Sequence, residues 1–215
     1  ERCITVSVFN WSRVQDTPLA QAARLIIWDN YDNRELAYHN WDHVLAMYEY
    51  LALSNEPYDE ALDWAVLFHD IVYDEKPEKE LRSAQVFIDM ASRYKGCNIS
   101  SAERGRVYVL IMRTSDHVVL PEVEGSSAII RADLHGLTKR LTAFENFGKI
   151  MKESMALYGI DEIVFVKNTE KFMTDLLFRV CANIQVDPDH EEFYLSVAEG
   201  ISLTITLARA IKGTT

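Results

Sequence analysis

A chain of 215 residues that is 48% hydrophobic has enough apolar material for one sizeable core, and its composition excludes a disordered protein. The formal net charge of −11 argues against a nucleic-acid polymer as partner, because that binding relies on clustered Lys and Arg neutralising phosphates. Only 8 Gly and 5 Pro point to packed helices with short connections.

Taken along the chain, Thr17-Pro18 reads as an N-cap followed by a first-turn proline, with Leu19, Ala22, Ala23, Leu25, Ile26 and Ile27 as the apolar face of a first helix. Val44, Leu45, Met47, Tyr48, Leu51 and Leu53 mark a second, and Pro57 breaks the connection to a third that ends on His69-Asp70. A fourth runs from Ser83 to Tyr94 with Gly96 as its stop. Ser100 or Ser101 caps the next, which turns Val107, Leu110 and Ile111 inward and ends near His117. Residues 118–125, with Pro121 and Gly125, read as a loop over the site, and Ser126 caps a short helix carrying Asp133. Two longer helices follow, roughly 138–158 and 161–183, before Asp187-Pro188 opens a last one ending near Lys212. The β-branched runs 163–166 and 202–207 tempt a strand assignment, but their length and flanks favour buried helix. The expectation is an all-α bundle in a single domain, 1–215, without internal repeats or linkers.

Cys3, Cys97 and Cys181 are odd in number and far apart, which suits reduced thiols. No signal-peptide layout is visible and no uninterrupted apolar stretch reads as long enough to span a bilayer, so a cytoplasmic protein without a membrane partner is expected.

The chemistry-bearing residues come in the order His43, His69-Asp70, His117, Asp133. An imidazole beside a carboxylate at the end of a buried helix is costly without a partner such as a cation, so these residues outline a metal site. The absence of ligating cysteines argues against structural zinc.

Three motifs accompany that order: Tyr38-His39-Asn40-Trp41-Asp42-His43, Phe68-His69-Asp70-Ile71-Val72-Tyr73-Asp74 and Glu80-Leu81-Arg82-Ser83-Ala84. Together they resemble the HD superfamily of metal-dependent phosphohydrolases, and within it the predicted small HD phosphohydrolases. The resemblance runs from about Tyr31 to Leu137 and fades over 138–212. It implies an HD-type helical bundle in which His43, His69, Asp70 and Asp133 bind one or two divalent ions (Mn, Mg, Fe, Co or Ni), with Asp70 central to catalysis. The implied activity is hydrolysis of a phosphate ester or anhydride of a small molecule, with nucleotides among the candidates. The weakly matching C-terminal helices would close one wall of the pocket or form a contact in a homo-oligomer.

Other roles stay open. His39 reads as a group that contacts phosphate or supports a ligand, and His117 as holder of a second metal, substrate contact or general acid. His135 and His190 read as peripheral, with His190 in solvent. Glu80 either orients a ligating histidine or is an exposed first-turn carboxylate, and Asp74 either holds a water on the metal or pairs with Lys76. Arg82, Arg113, Lys139 and Arg140 are candidate phosphate contacts, each equally explained as a solvated helix face. Tyr38, Trp41, Trp64, Phe68 and Tyr73 read mostly as core, with one or two available to line a pocket. A di-iron oxygenase built on the same His-Asp core and a non-catalytic metal- or nucleotide-binding module are the competing functions.

Overall fold

Helix α2, Glu60–Phe68, is polar only at Glu60 and Asp63 in its first turn and is otherwise forced into the interior, with Ala61, Leu62 and the whole run from Trp64 to Phe68 buried. It lies among α1 (Trp41–Leu53), α3 (Lys79–Arg93), α4 (Ser101–Asp116) and α5 (Ser126–Leu134), all of which pack against it. The rings of Trp64, Phe68 and Phe87 meet at centroid distances between 5.5 and 6.0 Å and tie α2 to α3. The computed structural model describes residues 36–93 and 99–213 together with Ala23, Ile26, Ile27, Asp29, Asn30 and Tyr31. All six of these last positions are helical, and Ala23, Ile27 and Tyr31 join the main core. The expected Thr17-Pro18 start and the Gly96 stop lie outside the described residues.

Each helix start has a chemical cause. Asn40 caps α1 by accepting from the N–H groups of Asp42 and His43, and its amide donates to the Leu36 carbonyl. Asp59 caps α2 and is held in turn by the guanidinium fork of Arg106. Ser100 and Glu103 form a reciprocal capping box on α4.

The chain then runs through a 3-10 turn, His135–Leu137, into α6 (Arg140–Tyr158), α7 (Glu162–Val186), a second 3-10 turn, Pro188–His190, and α8 (Glu191–Lys212). α7 and α8 form a long helical hairpin that also packs on α6. Gly200 lets α8 approach the first 3-10 turn, since a Cβ there would lie 1.9 Å from the Leu137 carbonyl oxygen. Among the described residues there is no strand, and both β-branched runs are helical. The protein is an all-α bundle.

Three local expectations are corrected. α3 begins at Lys79, ahead of Ser83, because its polar first turn follows a left-handed Glu78 and carries Glu80 against the helix dipole. Ser126 does not cap α5: Gly125 does so in a left-handed conformation, and the Ser126 hydroxyl accepts from the Leu120 N–H. His190 is half-buried and bonded to Asp187, so it is not a solvent group. The segment Pro188–Lys212 reaches a mean hydropathy of 1.2 and is long and apolar enough, by length and composition, to cross a bilayer; here its buried face, including Val197, Ile201 and Thr204, belongs to the bundle.

Candidate metal centre

Four elements converge on one point. His43 stands on the buried face of the first turn of α1, His69 is the C-terminal cap of α2 with Asp70 immediately after it, His117 caps the end of α4, and Asp133 is near the end of α5. His43 Nε2 is 3.3 Å from His69 Nε2 and 3.1 Å from Asp133 Oδ1. His69 Nε2 is 3.1 Å from Asp70 Oδ2, and His117 Nε2 is 3.2 Å from Asp133 Oδ2. The ligand atoms of His43, His69 and Asp70 all lie within 4.8 Å of one another, and all three residues are buried. This group could hold a metal ion.

The local chemistry fits a cation. His69 Nδ1 donates to the Val66 carbonyl at 2.8 Å, which leaves a lone pair on Nε2 when the ring is neutral. The Nε2 atoms of His43 and His69 face each other at 3.3 Å, and their lone pairs repel unless one ring carries a proton there or a cation lies between them. Burial opposes ionisation of Asp70, yet the neighbouring His69 and His39 outweigh it and hold the carboxyl well below the usual range. Asp133 is partly buried, which raises its pKa, but hydrogen bonds to His117 and His43 outweigh that and hold it well below its ordinary value. Burial disfavours a charged His69, but Asp70 and then Asp133 push it up to about 9. Without a metal, a proton on His69 supplies the positive charge that the carboxylates demand.

His117 is placed by its backbone. It adopts φ +54°, a left-handed conformation costly for a residue with a Cβ, and Asn183 locks it by donating to its carbonyl at 2.8 Å and accepting from the Val119 N–H at 3.0 Å. Its Nδ1 is buried without a hydrogen-bond partner.

His39 takes its hydrogen bond outside the group of four donors. Its Nδ1 bonds Glu153 Oε1, while Glu153 Oε2 accepts from the N–H groups of Tyr38 at 2.8 Å and His39 at 3.0 Å. Burial raises the Glu153 pKa and these bonds more than offset it, so the carboxylate is held below its ordinary value. The His39 ring stacks on Tyr73 at 3.9 Å. Glu153 was not singled out in the sequence, although a signal existed: it falls on the inward stripe of α6 with Ala143, Asn146 and Phe147.

Beside this cluster lies a cavity of about 430 Å³, lined by Tyr38, His39, Asp70, His117 and Asp133 and walled by α6 and α7. No residue of the 118–125 loop lines it, because Val119 is tied to Asn183 and Gly125 packs against Asp59 and Leu110 on another side of the bundle. The expected roof is thus replaced by the C-terminal helices.

The remaining sequence candidates fall around this centre. Glu80 lines the cavity. Asp74 pairs with Arg82 at 2.6 and 2.9 Å rather than with the Lys76 side chain, accepting only the Lys76 backbone N–H. Arg82 is further occupied by the carbonyls of Lys76 and Pro77, and Arg113 is paired with Asp116 at 2.8 Å. Lys139 and Arg140 are exposed at the start of α6. None of these four cations lines the cavity; Lys79 does, and sequence reading missed it. His135 bonds the Ala132 carbonyl and stacks on Tyr50, away from the donors.

Comparison of the chain with protein-family models, curated proteins and solved structures finds no match. The chemistry of the site therefore carries the functional reading.

Proposed function

We propose that this protein is a metal-dependent phosphohydrolase acting on a small phosphorylated molecule. The observation that supports it is the meeting of His43, His69 and Asp70 with Asp133 beside a cavity of substrate size. In this reading those four residues hold the ion, and the donor set of imidazole and carboxylate suits Mn²⁺, Fe²⁺, Co²⁺, Ni²⁺ or Mg²⁺. When bound, a divalent ion brings the pKa of water from ~15.7 toward ~7 and polarises the phosphoryl oxygen.

The chain's own groups do the rest. Water oxygen bonds to phosphorus and the P–O bond to the leaving group breaks, its electron pair going to the leaving oxygen. One proton of the water ends on that oxygen and the other on the released phosphate. His39, oriented through Nδ1 by Glu153, keeps Nε2 for the cavity and passes the proton to the leaving oxygen. His117 holds Asp133 in place through Nε2.

Each Asp133 oxygen faces a different imidazole, Oδ1 toward His43 and Oδ2 toward His117, which fixes the carboxylate for the ion it would help to hold. Elemental analysis of the purified protein, with phosphate release assayed anaerobically in Mn²⁺ or Mg²⁺ beside Asp70→Ala, tests the proposal. Metal bound by the parent and lost with activity in the variant supports it. Two irons with oxygen uptake and no phosphate release would instead mark a di-iron oxygenase.

A further inference from the structure

The cavity beside the centre has two unlike ends. One holds the histidines and carboxylates; the other is walled by Leu137, Phe147, Ile150, Phe165, Met173 and Leu176, and the polar side chains among them, Asn146, Ser154, Asn168, Thr169 and Thr204, are all neutral. Lys79 is the one Lys or Arg among the described residues that line it. Its ammonium lies 3.7 Å from the centre of the Tyr73 ring, which stacks on His39, and it donates to the Tyr158 hydroxyl.

Charge limits what can enter. Asp70, Glu80 and Asp133 line the cavity, and a divalent ion with Lys79 balances those three carboxylates. No further lining Lys or Arg is left for additional phosphates, whereas sites for di- and triphosphates surround them with several such donors. Arg82 and Arg113 do not supply them, being paired with Asp74 and Asp116. The apolar side chains, for their part, offer a ring or hydrocarbon chain a large contact surface, and no charged group stands among them.

Resting on the hydrolase reading above, we propose that this cavity takes a phosphomonoester whose alcohol half is largely apolar, seated among the side chains of α6 and α7 with its single phosphoryl group at the histidine end. The products are that alcohol and inorganic phosphate, by the same balanced hydrolysis.

The test compares kcat/KM in Mn²⁺ for 1-naphthyl phosphate, hexyl phosphate, glycerol 1-phosphate, a nucleoside monophosphate and the matching triphosphate. Calorimetry on the Mn²⁺-loaded protein compares hexylphosphonate with methylphosphonate. The expected result is a preference of ~10-fold or more for the naphthyl and hexyl esters, the scale on which apolar pockets discriminate, with hexylphosphonate the tighter ligand. Phe172 lines the cavity, so Phe172→Ser shrinks that preference, while Phe178→Ser, 73% exposed on the same helix and outside the cavity, leaves it intact. Equal or better turnover of either nucleotide overturns the inference and leaves the hydrolase reading standing. Tighter hexylphosphonate binding with no phosphate released from any compound removes the catalytic reading and keeps the ligand class. Neither turnover nor a difference in phosphonate binding overturns both.

Discussion

The Glu153 carboxylate is bonded to the His39 ring through one oxygen and to the His39 backbone N–H through the other, joining α6 to the segment that leads into α1. Three hydrogen bonds to a buried ionised group make this a polar link between α6 and the donor-bearing part of the chain, beside the one that Asn183 makes from α7.

Glu153→Ala should therefore destabilise the protein by about 3 kcal/mol, since it strands buried donors as well as removing charged bonds. Glu153→Gln should cost less, because its amide oxygen still accepts from the backbone. Urea midpoints of the two variants check the order; equal midpoints with the parent would show that the link carries no stability.

The pH dependence of stability should reverse with metal. His69 is raised from 6.5 to about 9, so in metal-free protein its contribution is fully present below 6.5 and disappears as the pH rises through about 9. Asp70 and Asp133 are depressed, so theirs is present above 3.8 and is lost only as the pH falls below it. A divalent ion binds the neutral ring and takes the proton's place, so stability gained from saturating Mn²⁺ should grow across the window from 6.5 to about 9. Melting temperatures with and without Mn²⁺ at several pH values measure it, and a gain that is flat or shrinking across the window contradicts the prediction.

At His117 the backbone and the ring make opposite demands. His117→Gly should be more stable than His117→Ala by ~1 kcal/mol, because glycine adopts the left-handed conformation without the Cβ penalty. Both variants lose the contact to Asp133 and should bind Mn²⁺ more weakly than the parent. Thermal melts and metal titrations separate the two effects.

Gly200→Ala should cost roughly 3 kcal/mol, at the upper end for overpacking, because the methyl meets backbone at Leu137 instead of a side chain able to move. The same shift would displace Leu137 from the cavity wall. A denaturation midpoint unchanged from the parent would mean the two elements separate freely.

The donors were readable in the sequence because each sits where a helix begins or ends on an apolar face: His43 one turn into α1, His69-Asp70 at the end of α2, Asp133 near the end of α5. Periodicity and caps locate the helix ends, whereas the choice of these residues as ligands rests on the resemblance of the three motifs. Glu153 and Lys79 owe their importance to partners more than seventy positions away, Tyr38 and His39 for one and Tyr158 for the other, and local pattern carries no information on such pairings. The loop 118–125 failed for the same reason, since its side of the bundle is set by Asn183.

The lining of the cavity divides along the chain: every nitrogen and oxygen donor of the centre precedes residue 134, whereas the apolar wall begins at Leu137 and continues through α7. Chemistry and selectivity are thereby written in separate stretches of sequence. Mutation in the later helices can retune what enters while the reactive end is inherited unchanged, with the Glu153 link as the seam along which the two would have to stay compatible.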